Sequence, residues 1–170
     1  MRPGHLAAAA LLALALPSAA AAEADASVVI MAPEMIGDLD APGLQELWPG
    51  RLERLEAAVG AGLAEAGLYA LAAPEATEAA RAANRGRANL FTCEPCAVRA
   101  AEAADADRVL ALRVHRISTL IMSLQAILRD AEGDVLFQQQ VGFRGDTDTA
   151  WERAGSYLVR EMTERAAERQ

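Results

Sequence analysis

Two cysteines lie three positions apart in the segment Cys93-Glu-Pro-Cys96, and the chain contains no others. Thiols at this spacing form a disulfide in an oxidising compartment, so a structural disulfide is expected. Pro95 suits the first turn of a helix, where the backbone amides make a thiol more acidic, and redox activity is therefore the alternative. A zinc site would need two further ligands, and His115 is the one histidine beyond residue 22.

A second group of polar side chains lies between a predicted strand and the last predicted helix. The segment Arg144-Gly-Asp-Thr-Asp148 is expected to be a turn followed by a helix cap, because aspartates complement the helix dipole. Two binding interpretations remain open: Asp146 and Asp148 could ligate a cation, or Arg144 could contact an anion beside Trp151.

A third candidate is a long loop after the first predicted strand, which carries Asp38 and Asp40. Loops at the carboxyl ends of strands are where α/β proteins bind ligands, so this loop is a possible small-ligand site. Solvated acids are the simpler interpretation. His115 lies on the less apolar side of its strand with no nucleophile or acid at a spacing that suggests a triad, so it is not expected to be catalytic.

The first 22 residues have the pattern of a secretory signal peptide. Arg2 precedes an apolar run over 6–16, Pro17 follows it, and small residues lead to Ala22. The run is too short to span a bilayer. We therefore expect cleavage near Ala22, a single domain over 23–170, and a periplasmic or secreted protein.

The charge of the chain limits its partners. All 16 basic residues are arginine, and without Arg2 the chain has 15 arginines against 24 acidic residues, a net charge of −9. Such a surface repels nucleic acid and anionic lipid. After signal removal no apolar run reaches membrane length, so no membrane insertion is expected. No cofactor and no metal site are expected either.

The hydrophobic pattern predicts a single mixed-sheet α/β domain. Capping and turn residues support the order β-α-β-α-α-β-β-β-α, in which parallel strands are followed by an antiparallel meander and helices pack on the sheet. The segment 34–49 is expected to be mainly loop. Residues 117–128 also fit a helical face, but the following hairpin favours a strand, and Thr149 with Glu152 predicts a capping box for the last helix. The predicted elements are strands over 26–32, 68–71, 108–117, 120–129 and 135–143 and helices starting at Pro49, Pro74, Pro95 and about Thr149.

Several segments resemble a family of secreted bacterial proteins known as domain of unknown function 2380, with a sibling numbered 3280. The resemblance rests on Cys93-x-x-Cys96, Ala106-Asp-Arg-Val-Leu, Val114-His-Arg-Ile-Ser and Phe143-Arg-Gly-Asp-Thr-Asp-Thr-Ala-Trp151. This chain has Asp146 where the family pattern has asparagine. The layout is also similar to the amino-terminal domain of TolB and to curli-secretion lipoproteins, a likeness of architecture that implies no activity.

These observations favour a non-enzymatic envelope protein that binds or supports an unknown protein partner. The alternatives are a thiol–disulfide oxidoreductase that uses Cys93 and Cys96, and a small-ligand-binding protein that uses the Asp38–Asp40 loop.

Overall fold

A computed structural model describes residues 26–169. These residues form one mixed sheet of six strands, on which four α-helices pack. The predicted fold class is therefore confirmed. The strands are β1 (Ser27–Ile30), β2 (Glu34–Gly37), β3 (Ala70–Leu71), β4 (Arg108–Arg116), β5 (Met122–Asp130) and β6 (Val135–Phe143). The helices are α1 (Trp48–Glu65), α2 (Pro74–Ala83), α3 (Glu94–Ala104) and α4 (Asp148–Glu168). The predicted signal peptide lies outside the described residues.

The sheet has the order β3-β1-β4-β5-β6, and β2 also pairs with β4. β1 is parallel to β3 and β4, whereas β4, β5 and β6 form the antiparallel meander that the sequence predicts. The alternative of a helix over 117–128 is therefore excluded, and this segment forms a hairpin loop and β5.

The prediction of a loop over 34–49 was wrong in its first part, where β2 forms. β1 pairs with β4 only at residues 108–110, and β2 pairs in parallel with residues 113–116 further along the same side of β4. Pro33 separates the two short strands. The element order therefore has a second strand before the first helix, and that strand ends directly before Asp38.

The helices cover both faces of the sheet. Helices α1 and α4 pack on one face, and α2 and α3 pack on the other. Strand periodicity divides β4 between these layers, because alternate side chains point to opposite faces. Leu110, Leu112 and Val114 contact the first layer, whereas Val109 and Ala111 contact the alanine-rich α3. Glycine and proline signals bound the helices as expected, with Pro49 in the first turn of α1 and Gly67 at φ +64° just beyond its end.

The predicted capping box at Thr149 and Glu152 is not the cap of the last helix. The N-cap is Thr147, whose hydroxyl accepts a hydrogen bond of 3.3 Å from the Ala150 amide. Thr149 therefore lies inside the first turn. The two threonines are two positions apart, and only Thr147 has the extended backbone that an N-cap requires.

Candidate functional site

A buried carboxylate, Asp146, lies at the end of the sheet where β6 leads into α4. Its side chain is fully excluded from solvent. One oxygen accepts hydrogen bonds from the indole of Trp151 at 2.9 Å and from Arg51 at 2.8 Å, and the other accepts one from the indole of Trp48 at 2.9 Å. Trp48 and Arg51 belong to the first turn of α1, so this carboxylate connects the starts of the two helices on the first face.

Arg51 extends the cluster to the surface. Its Nε donates to Asp148 at 2.7 Å, and Arg54 lies 3.2 Å from the second oxygen of that carboxylate. The hydrogen bond from Arg51, supported by the charge of Arg54, lowers the pKa of Asp148 below its ordinary value. Asp146 and Asp148 therefore both bind arginine in this structure, and their alternative role as a cation-ligand pair stays a prediction.

Arg116 joins the two regions that the sequence suggested as separate sites. It is buried at the end of β4 and donates to the carboxylate and the backbone carbonyl of Asp38. Its Nε lies 4.0 Å from Asp146, and its guanidinium lies 5.7 Å from the ring centre of Trp48. The Asp38 loop and the segment after β6 therefore belong to one cluster: Asp38, Trp48, Arg51, Arg116, Asp146, Asp148 and Trp151.

Gly37 fixes the position of Asp38 in this cluster. A Cβ atom at Gly37 would lie 2.0 Å from the carbonyl oxygen of Arg116, and the residue has φ +101°. Both observations require glycine, because a side chain would push β2 away from β4. The Asp38 amide also donates to the same Arg116 oxygen at 2.8 Å, so the loop is held through its backbone.

A hairpin loop next to the cluster exposes large apolar side chains. Ile117, Leu120 and Ile121 are 55%, 69% and 54% exposed. The hydroxyl of Ser118 accepts hydrogen bonds from the amides of the last two, at 3.3 and 3.2 Å. Gly145 also donates to the carbonyl of Leu120 at 3.4 Å. The loop backbone is thus held in place while its apolar side chains face solvent.

Two further exposed leucines adjoin members of the cluster in sequence. Leu39 follows Asp38 and is 40% exposed, and Leu47 precedes Trp48 and is 47% exposed. We call the five side chains Leu39, Leu47, Ile117, Leu120 and Ile121 the apolar end of the molecule.

The two cysteines form the predicted disulfide. Cys93 is the partly exposed N-cap residue of α3, whereas Cys96 is buried in its first turn. A guanidinium nitrogen of Arg99 lies 3.3 Å from the sulfur of Cys96. This geometry holds the disulfide at a helix N-terminus with an arginine beside the inner sulfur.

The remaining candidates occupy more open positions. Asp40 and Arg144 are exposed, and His115 is partly buried with its ring against Gly37. Within residues 26–169, no group of three or more His, Cys, Asp or Glu side chains could hold a metal ion. The roles of Asp40 as part of a ligand loop and of Arg144 as an anion contact stay predictions.

The sequence analysis did not single out Trp48, Arg51 or Arg116, although the sequence contains a signal for each. Arg116 continues the alternation of Leu110, Leu112 and Val114 and therefore places a charge on the buried side of β4. Positions 48, 51, 55, 59 and 63 follow helical spacing and are all buried in α1. An arginine inside an apolar periodicity requires a buried acidic partner, which here is Asp146.

The profile of a protein family described as "DUF3280: Protein of unknown function (DUF2380)" matches residues 34–162. The chain belongs to this family. The matched region includes every member of the cluster. A search of curated protein sequences finds no match.

Several solved structures are similar to this chain, two of them with a TM-score above 0.5. Lipoprotein GNA1162 from Neisseria meningitidis has a TM-score of 0.54 and 20% identity, over 84% of this chain and 96% of that one. The hypothetical protein CT253 from Chlamydia trachomatis has a TM-score of 0.51 and 11% identity, over 84% and 99% of the two chains. The LpoB C-terminal domain from Escherichia coli, at 13% identity over 69% and 81%, has a TM-score of 0.47.

In the described part of the chain, no helix combines the length and the apolar character that crossing a bilayer requires.

Proposed function

We propose that the protein is a non-enzymatic protein of the cell envelope that binds a protein partner through its apolar end. The observation that carries this proposal is the exposure of Ile117, Leu120 and Ile121 on one short hairpin loop. Clustered apolar side chains on the surface of a domain mark interaction sites, because their burial in a complex is favourable.

The cluster beneath the apolar end supports this role. Arg116 donates to the Thr119 hydroxyl at 3.1 Å within the hairpin loop and also holds the loop that carries Leu39. Two loops that are distant in sequence are therefore fixed to one buried guanidinium. A surface that is ordered before binding loses less conformational entropy in the complex, and this favours affinity.

Two observations support a location outside the cytoplasm. The first is the signal-peptide pattern of residues 1–22, and the second is the fold that the chain shares with a lipoprotein, GNA1162. A periplasmic or secreted protein would encounter envelope proteins as partners, and its cysteines would be oxidised, as in the structure.

Affinity capture with matched variants tests the proposal. The tagged protein is expressed from its own signal sequence, and captured proteins are quantified by mass spectrometry. Leu120→Ser combined with Ile121→Ser should reduce capture of a specific partner at least about tenfold, equivalent to losing about 1.4 kcal/mol of binding free energy. Val135→Ser is the control, because Val135 is 49% exposed but lies at the opposite end of the sheet.

Equal capture by the double variant and the wild type would contradict the apolar end as the docking surface. Melting curves of both variants should match the wild type, since all three positions are exposed.

The geometry of the cysteine pair favours one second candidate function, thiol–disulfide exchange. In this function Cys93 is the sulfur open to attack, and the Arg99 guanidinium stabilises the thiolate that Cys96 becomes on reduction. The measurement is the reduction potential in glutathione buffers, combined with insulin reduction. A potential above about −300 mV with turnover would support exchange, whereas a lower potential without turnover would support a structural disulfide.

A further inference from the structure

Strand β6 forms one edge of the sheet. Within residues 26–169 no strand pairs with its outer side. It is nine residues long, and its sequence VLFQQQVGF contains no charged residue and no proline. Proteins usually protect such an edge with lysine, proline, a very short strand or a covering segment, because an open edge pairs with other strands. The opposite edge strand, β3, has only two residues.

The hydrogen-bond register shows which backbone groups of β6 point outward. Ile117 donates to the carbonyl of Ile121, so odd-numbered residues of β5 bond to β4 and even-numbered ones bond to β6. The backbone hydrogen bonds between β5 and β6 therefore join the pairs Leu128–Phe137, Ala126–Gln139 and Leu124–Val141. The amide and carbonyl groups of Gln138, Gln140 and Gly142 consequently point away from the sheet. Arg169 donates to the Leu136 carbonyl at 3.4 Å, near the start of the edge.

We propose that two copies of the chain associate through antiparallel pairing of β6 with β6, around a two-fold axis at Gln140. This register places Gln140 opposite Gln140 and Gln138 opposite Gly142 of the second copy. Every outward amide and carbonyl of these three residues then has a partner, and roughly six backbone hydrogen bonds join the copies. The two sheets become one continuous sheet.

The side chains of the edge are compatible with a second copy of the same strand. A two-fold axis at position 140 places this residue of one copy opposite the same residue of the second copy. A charged residue there would therefore face a like charge. Here the facing residues are neutral glutamines that can donate and accept hydrogen bonds. A Cβ atom at Gly142 would meet no neighbouring atom within 4 Å, which leaves space for Gln138 of the second copy.

The flank of α4 above β6 also suits this association. Gln139 donates to Glu161 at 3.5 Å, and Tyr157 lies one turn earlier in the helix, with the guanidinium of Arg160 4.6 Å from its ring centre. This flank therefore lies over β6, and Tyr157 is 40% exposed on it. Pairing of the edges would bring α4 of the two copies together on the same face of the extended sheet and cover Tyr157.

The test is the oligomeric state of the protein, measured by light scattering and sedimentation velocity over a dilution series. The wild type should be dimeric at micromolar concentration. Gln140→Pro removes an outward amide without removing a bond to β5 and should raise the dimer dissociation constant at least about tenfold. Gln140→Thr keeps the amide and is the matched control, which should remain dimeric. Far-UV dichroism of both variants should equal that of the wild type.

A charge exchange tests the position of the axis. Gln140→Lys and Gln140→Glu should each be monomeric alone, because like charges face one another, and an equimolar mixture should form a heterodimer. A wild type that stays monomeric at about 100 μM would overturn the proposal, as would dimers of Gln140→Pro as stable as those of Gln140→Thr. A mixture that stays monomeric would overturn the register around Gln140. The apolar end remains intact in all four variants, so these outcomes are independent of partner capture.

Discussion

At the scale of single residues, the environments of two nearby aspartates differ sharply. Asp146 is fully buried and bonds to Arg51 and two indoles, whereas the side chain of Asp148 is 58% exposed beside Arg51 and Arg54. The two carboxylates lie two positions apart in one polar segment. The sequence pattern gives them the same expected roles, as turn and cap residues or as cation ligands. Both contact arginines of α1, but only Asp146 also accepts from the indoles of Trp48 and Trp151, and these added donors make burial of its charge favourable.

Asp146→Ala should lower the free energy of unfolding by about 3–5 kcal/mol, because it leaves the charge of Arg51 buried without its main partner. Asp148→Ala is the control and should cost much less, since the carboxylate of Asp148 is 58% exposed and Arg51 keeps its buried partner Asp146. Urea denaturation of both variants measures the difference. Equal losses at the two positions would show that the buried pair is not the stabilising contact.

Trp151 combines an apolar contact with a hydrogen bond, and two substitutions separate them. Its ring is 3% exposed and lies edge-on to Phe143, with a centroid distance of 6.2 Å. Trp151→Ala should cost about 3–5 kcal/mol of unfolding free energy, as large aromatic truncations in cores do. Trp151→Phe keeps most of the buried area and loses the indole donor to Asp146, so its cost should be smaller. A Phe variant as unstable as the Ala variant would mean that the hydrogen bond dominates.

At the scale of secondary structure, the sequence predicted an element well where its hydrophobic pattern and its flanking turn residues agreed. The prediction failed where turn residues surrounded a short strand. Alternation over β4 and β6 and the turn at Gly133 predicted the meander almost to the residue. β2 was missed because its four residues lie between Pro33 and a segment rich in glycine and aspartate. What makes Glu34–Gly37 a strand is the free side of β4 beyond Leu110, which is a property of another element.

The correction at the start of α4 gives a direct test. Thr147→Ala removes the oxygen that accepts from the Ala150 amide and should cost about 1 kcal/mol. Thr149→Ala, inside the first turn and exposed, should change stability by less than about 0.5 kcal/mol. Chemical denaturation resolves this difference. A larger loss of stability in Thr149→Ala than in Thr147→Ala would instead support the capping box of Thr149 and Glu152.

The disulfide is a local feature of α3. Cys93 and Cys96 close a very small loop, so the chain-entropy contribution should be at or below the lower end of the usual range of about 2–4 kcal/mol. Cys93→Ala combined with Cys96→Ala should therefore lower the melting temperature by a few degrees and leave far-UV dichroism unchanged. Loss of the dichroism signal would show that the disulfide is needed for the whole fold.

At the scale of the whole molecule, the candidate site could be predicted in its parts but not in its assembly. The sequence suggested Asp38 with Asp40 and Arg144 to Trp151 as two regions. Their meeting depends on β2 and β4 ending beside the start of α4, and on Arg116 reaching both Asp38 and Asp146. Periodicity reports which face a residue occupies, but it contains no information on which loops become neighbours.

Location is also a property of the whole chain, and one measurement tests it. If residues 1–22 are a signal peptide, the protein isolated from the periplasm or the medium should begin at or near Glu23. Intact-mass analysis or amino-terminal sequencing determines this end directly. Retention of Met1 on the exported protein would contradict the predicted processing.

The carboxylate of Asp146 lies 95 residues after Arg51 and 98 residues after Trp48, and this separation has a consequence for folding. During synthesis or export the start of α1 emerges long before the segment that completes its hydrogen bonds. Until α4 docks, an arginine and an indole remain without their buried acceptor, and α1 lacks its neighbour in the layer. Native contacts of such long sequence separation form slowly. The first face of the sheet is therefore completed by α4, which is made after every other described element, so a nascent chain truncated before residue 146 has no stable place for Arg51.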